Sequence, residues 1–284
     1  MTHANALVST DWLAHHLNDP GVKILDASYF VPGGVEPARQ QYAEGHIPGA
    51  IFFDINAVAD TTNPKDHAFP SAAVFAEKVG ALGIGNDDVI VAYDHLGGTC
   101  AAARVWFMFR AFGHQRVSVL NGGRTKWSAE GRPMSRDMPH FAAATFHPRP
   151  APVVKGKGEI LANIDQRDFQ LLDARSQGRF EGIEPEPRVG LRSGHVPGSA
   201  NLPFLQLIEA ETKTWKTSSA IRERFIAAGV DISKPLTTTC GSGVSACAVA
   251  FGAYLIGKTD VALYDGSWVD WGSDSAVPVV TGPG

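Results

Sequence analysis

Short apolar runs of four or five residues recur along the chain, separated by longer stretches in which hydrophobic positions fall at helical spacing. Ile24-Leu25-Asp26-Ala27, Val89-Ile90-Val91-Ala92-Tyr93 and Val117-Ser118-Val119-Leu120 read as buried strands, each followed by turn-forming residues or a break in the pattern. Residues 11–17 follow Ser9 and Thr10, both candidate N-caps, and residues 101–112 are apolar enough to form a packed helix. Strands alternating with helices predict an α/β fold, a parallel sheet covered on both faces.

The pattern is written twice. Ile24-Leu25-Asp26-Ala27 returns as Leu171-Leu172-Asp173-Ala174, and Gly45-His46-Ile47-Pro48-Gly49-Ala50 as Gly194-His195-Val196-Pro197-Gly198-Ser199. The run ending at Asp94 matches Leu236-Thr237-Thr238-Thr239-Cys240. Val117-Ser118-Val119-Leu120-Asn121-Gly122-Gly123 matches Val261-Ala262-Leu263-Tyr264-Asp265-Gly266-Ser267, and each copy closes on a tryptophan, Trp127 and Trp271. Four matches in one order and at similar spacing are a duplication. The chain is therefore expected to hold two diverged domains, 1–135 and 157–284. The stretch 136–156 between them, rich in Pro and Ala and without a period, reads as a linker.

Composition narrows the function classes. The 25 basic residues fall short of the 29 acidic ones, so nothing points to nucleic acid or an anionic membrane as partner. No apolar run approaches the roughly 18 residues of a membrane span, and Met1-Thr2-His3-Ala4-Asn5 lacks the features of a secretory leader. Cys100, Cys240 and Cys247 are too few for a disulfide framework and lack zinc-ligand spacing. The expectation is a cytoplasmic protein, a monomer, with reduced thiols and no metal or organic cofactor.

Duplication lets the copies be compared directly. At the end of the central strand the first copy has Asp94 and the second Cys240. Gly241-Ser242-Gly243-Val244-Ser245-Ala246 follow the cysteine and lead into a helical pattern over 247–255. A strand, a Gly-rich turn and a helix place the thiol at a helix N-terminus, where unpaired N–H groups favour an anion. Such a site favours the thiolate, the nucleophilic form of cysteine. The competing reading is a packed structural cysteine, which is the expected role of Cys100 and Cys247.

With H-[IV]-P-G-[AS] in both halves, Asp94 in the first loop and Cys240-Gly241-Ser242-Gly243-Val244 in the second, the chain resembles the tandem-domain rhodanese family. Residues 45–54, Glu184-Pro185-Glu186-Pro187-Arg188 and Tyr264-Asp265-Gly266-Ser267-Trp268 strengthen the likeness, which spans nearly the whole chain. The resemblance implies a silent first domain and an active site on the second, facing the interdomain cleft. Relatives that use thiosulfate carry cations directly after the cysteine. The uncharged Gly241 and Ser242 resemble instead the branch whose donor is 3-mercaptopyruvate.

The family's substrate-binding arginines fall on Arg179 and Arg188, which could grip a carboxylate bidentately or pair with Glu181, Glu184 or Glu186. His46 matches a histidine the family places near the loop serine, here Ser242, for a proton relay. The same motif recurs at His195, so a turn or packing role competes. Glu36 is the nearest carboxylate that could support the pair. Ser245 stands where threonine is usual and keeps its hydroxyl. The resemblance implies sulfur transfer from the small-molecule donor through a Cys240 persulfide to cyanide, a thiol or a thioredoxin-like dithiol. Backbone N–H groups of Gly241, Ser242, Gly243, Val244 and Ser245 would hold the sulfur. A cysteine phosphatase would need Arg six residues after the cysteine, where Ala246 stands. A non-catalytic docking module is the remaining alternative.

Overall fold

Two five-stranded parallel sheets, one in each half, account for the alternation of short apolar runs and helices. The computed structural model describes residues 6–30, 36–98 and 100–284. The first five residues, on which the absence of a leader was judged, lie outside them.

The first unit runs β1 (Leu7–Val8), α1 (Thr10–His16), β2 (Val22–Asp26), α2 (Glu36–Glu44), β3 (Ala50–Phe52), α3 (Ala72–Ala81), β4 (Val89–Tyr93), α4 (Ala101–Ala111), β5 (Val117–Leu120) and α5 (Gly123–Ala129). The second repeats it with β6 (Val154–Lys155), α6 (Lys157–Gln166), β7 (Gln170–Asp173), α7 (Gln177–Glu181), β8 (Ala200–Asn201), α8 (Ser218–Ala227), β9 (Leu236–Thr239), α9 (Ser245–Leu255), β10 (Val261–Tyr264) and α10 (Ser267–Ser273). Strand order is β1-β5-β4-β2-β3 in one and β6-β10-β9-β7-β8 in the other, so each strand has a positional twin.

Sequence explains most of these elements. Ser9 caps α1 by accepting from the Trp12 N–H at 3.0 Å, and Thr10 becomes the first helical residue. Both α4 and α9 are buried along nearly their whole length, which is why they read as apolar on every side. The helix expected from Cys247 begins two residues earlier, at Ser245. Ile24, Ile47 and Trp127 pack together in one core, and their twins Leu171, Val196 and Trp271 in the other. Each tryptophan donates its indole N–H to a following proline carbonyl, Pro133 at 2.8 Å and Pro278 at 2.9 Å.

The linker differs from expectation. Residues up to Ala151 pack on the first unit, and Val154–Lys155 is already an edge strand of the second sheet. The cause lies at the helix ends, where the last carbonyls have no partner within the helix. Ala144 donates to the Gly80 carbonyl at 2.9 Å, Arg149 to Phe112 at 2.8 Å, and Ala151 to Ala111 at 2.8 Å. Phe146 is buried against Phe75 and Phe109. The first unit also includes residues 208–215, from the second half of the chain.

Candidate active site

β9 is the central strand of the second sheet, paired with β7 and β10, and its four residues are all buried. Beyond Thr239 the chain turns through Cys240, Gly241, Ser242, Gly243 and Val244 into α9. Gly243 has φ +91°, a left-handed conformation suited to glycine. Val244 caps α9 without a side-chain hydrogen bond of its own.

The loop is pinned from one side. The Cys240 and Gly241 carbonyls accept from the Trp268 and Val269 N–H groups, both at 2.9 Å, at the start of α10. A peptide is planar and trans, so the N–H groups in those same peptides, of Gly241 and Ser242, point away from α10. Cys240 is 2% exposed, and its Sγ accepts from the Gly243 N–H at 3.1 Å. Ser242 and Ser245 are half-buried, on the turn and at the first helical position.

The first unit shows what this geometry holds. Asp94, at the position of Cys240, is fully buried, and its carboxylate accepts from four backbone N–H groups among the described residues. Leu96 and Gly98 donate to Oδ1 at 2.9 and 2.8 Å, and Cys100 and Ala102 to Oδ2, both at 3.1 Å. Its main chain is pinned like that of Cys240: Arg124 N–H donates to the Asp94 carbonyl at 3.0 Å. Charge-assisted bonds of this kind are the strong class. The strand–loop–helix unit is an anion cradle, filled in one copy by a carboxylate and offered in the other to a sulfur.

Arg179 lies against the loop. A β carbon on Gly241 would sit 3.0 Å from its Nη2, so any larger residue there would press on the guanidinium. Behind it, Glu186 accepts from Arg179 at 2.6 Å and from Arg175 at 2.7 Å, and Arg175 also pairs with Asp173 at 2.6 Å. Burial pushes the Arg175 pKa down, but the Asp173 and Glu186 carboxylates outweigh this and raise it. Arg175 also stacks over the Trp268 ring, 4.2 Å from its centroid. Of the glutamates considered as partners, Glu186 is the one Arg179 takes. Arg188 is half-buried and makes no hydrogen bond or ion pair among the described residues.

His46, expected to take part in a relay, lies in the first unit. Its ring is fully buried in the first unit, stacked on Tyr42 at 3.9 Å, with Nδ1 2.8 Å from the Tyr42 carbonyl and Nε2 3.0 Å from that of Asp137. Both nitrogens face backbone carbonyls, and a neutral imidazole can donate to only one of them. His195 does the same in the second unit, stacked on Phe180 at 3.7 Å with Nδ1 2.8 Å from its carbonyl. The backbones of His46 and His195 also bridge to Ser135 and Val280. In both copies the histidine ring stacks on an aromatic neighbour and turns Nδ1 to a backbone carbonyl. Glu36 is exposed at the start of α2 and is not a partner of either His46 nitrogen.

Cys100 and Cys247 are buried, in keeping with packing roles, and Cys247 Sγ donates to the Gly243 carbonyl at 3.3 Å. No disulfide joins the cysteines, and the described residues hold no cluster suited to a metal ion. Sequence reasoning missed Arg175, Asp173 and Ser267, although the last was visible as a Gly-to-Ser difference between the copies.

The rhodanese-like domain profile matches residues 9–130 and 157–274. The 3-mercaptopyruvate sulfurtransferase of Homo sapiens is 47% identical over 272 residues, which cover 94% of this chain and 91% of the relative. The thiosulfate sulfurtransferase of Cricetulus griseus is 48% identical over 276 residues, with the same coverage. The crystal structure of SseA from Escherichia coli, described as a 3-mercaptopyruvate sulfotransferase, superposes with a TM-score of 0.83. It is 35% identical and covers 93% of this chain and 99% of its own.

Proposed function

The chain belongs to the rhodanese family, and from that premise we propose that it is a sulfurtransferase taking sulfur from 3-mercaptopyruvate onto Cys240. The observation that carries this reading is the cradle: Cys240 Sγ accepts from Gly243 N–H where the twin loop holds a full carboxylate. Relatives of both donor classes match almost equally, so overall identity does not select the donor. The loop supports mercaptopyruvate, because residues 241 and 242 carry no charge for a dianion, while Arg179 and Arg188 can take one carboxylate.

The Cys240 thiolate attacks the donor sulfur and a sulfur–sulfur bond forms. The carbon–sulfur bond breaks, and its electron pair leaves as the enolate of pyruvate, which takes a proton. The loop N–H groups hold the sulfane sulfur as charge collects there. A thiolate or cyanide then attacks the outer sulfur, and Cys240 leaves as thiolate. A small thiol or a thioredoxin-like dithiol is the proposed acceptor. The protein is read as a cytoplasmic monomer with reduced thiols. No helix among the described residues is long and apolar enough to cross a membrane.

The test is the mass of the purified protein after brief exposure to each donor, with Cys240→Ser alongside. One added sulfur with mercaptopyruvate, pyruvate released and no gain in the variant is the expected result. A gain with thiosulfate alone would move the assignment to that donor. No gain with either would leave a docking module.

A further inference from the structure

Four non-glycine residues among those described have a positive φ, and one of them touches the nucleophile's own peptide. Ser267 is fully buried with φ +53° at the junction of β10 and α10. Side chains adopt this region rarely, and such outliers concentrate where function holds them. Its twin in the silent unit is Gly123, with φ +52°. The two copies share the backbone turn, and the first meets it with the residue that tolerates it. In the catalytic copy a serine occupies the same conformation in spite of its β carbon.

The hydroxyl explains the exchange. Ser267 Oγ accepts from the Cys240 N–H at 3.2 Å and donates to the Tyr264 carbonyl at 2.9 Å, with Thr239 Oγ1 3.4 Å away. It clamps the peptide preceding the thiol to the end of β10. The next two residues, Trp268 and Val269, pin the Cys240 and Gly241 carbonyls. In the first unit Arg124 makes the corresponding main-chain bond to Asp94, so the backbone pin does not require a serine. What the serine adds is a grip on the N–H of the residue carrying the reactive atom.

We propose that Ser267 is a positioning residue for Cys240, its hydroxyl fixing the peptide from which the thiol projects into the cradle. The inference rests on the reading of Cys240 as the nucleophile. Ser267→Gly reproduces the silent copy, relieving the backbone while removing the hydroxyl; Ser267→Ala removes the hydroxyl alone. In the full chain, the Tm of Ser267→Gly stays within about 3 °C of wild type, because relief of the positive φ offsets the lost bonds. Its kcat for sulfur transfer to cyanide falls about tenfold, the worth of one hydrogen bond, with KM within about twofold. Alkylation of Cys240 by iodoacetamide, followed by mass, slows by about the same factor in both variants.

A folded Ser267→Gly with kcat and alkylation within about twofold of wild type overturns the proposal. So does a loss confined to Ser267→Ala, which would trace the effect to backbone strain. Alkylation needs no sulfur donor. A wild type that is alkylated at Cys240 but gains no sulfur from mercaptopyruvate sinks the functional reading, while the alkylation rates still decide the role of Ser267.

Discussion

Asp26 and Asp173 occupy the same position in the two copies, and the residue two places on separates their fates. In the second unit it is Arg175, which pairs with Asp173; in the first it is Ser28, which offers its N–H to Asp26 at 3.0 Å. Burial raises the pKa of Asp26 above the usual 3.8, against the smaller opposing effects of Ser28, Tyr93 and Arg124. A raised carboxyl favours the fold fully below its unfolded value, and this contribution is lost as pH climbs through the folded one. Asp26→Asn, which stays neutral, is therefore expected to be the more stable protein at about pH 8, with an advantage that shrinks toward about pH 4. Urea midpoints at the two pH values measure this, and a wild type more stable than the variant at the higher pH would contradict it. Position 28 shows the difference in the sequence, but only burial gives it an energy.

Between strand and helix, the same junction is built twice with different tolerance for a side chain. A β carbon at Gly123 would collide with the Asp94 carbonyl oxygen and crowd Gly97. Gly123→Ala should cost about 2–3 kcal/mol, from the positive φ and the displaced loop. Denaturant unfolding measures it, and a cost under about 0.5 kcal/mol would show that the loop gives way freely.

At this scale the sequence was most legible. Repeated apolar runs located β2, β4 and β5 and their twins, but not the edge strands, and the Gly-rich turn after Cys240 placed the thiol before a helix. Two things stayed hidden for physical reasons. The His-Ile-Pro-Gly motif looks alike whether its histidine moves protons or packs on an aromatic ring, and the burial and stacking of the His46 ring come only with the fold. Residues 136–151 carry no period, because backbone pairing with helix-end carbonyls and single side chains such as Phe146 hold them, and neither leaves a repeating signature.

Across the whole chain, contiguity in sequence and membership of a unit part company. Residues 208–215, which fall between β8 and β9, belong to the first unit. Ile208 bridges Trp215, and the Trp215 N–H donates to Asn121 Oδ1 at 2.9 Å, just beyond β5. Gly97 has no room for a β carbon against the Lys213 carbonyl. Removing the buried Trp215 side chain should cost about 3–5 kcal/mol and fall on the first unit, although the residue lies in the second half of the sequence. Hydrogen exchange in Trp215→Ala is expected to quicken in β4 and β5 before β9 and β10, and the reverse order would refute this. No local pattern announced the excursion, since Asn121 lies 94 residues before Trp215 and Gly97 is farther still from Lys213.

The carboxylate sealed into the first cradle also fixes a stoichiometry. A tandem duplication would ordinarily offer two equivalent receptors for a small anion, and a titration would count two. Here one receptor is permanently occupied from within, by a ligand tethered through its own β carbon and beyond the reach of dilution or competition. Calorimetry with an inhibitory anion should therefore count one equivalent per chain, and sulfur loading should saturate at one atom. Donor and acceptor then take turns at a single atom, and either in excess excludes the other.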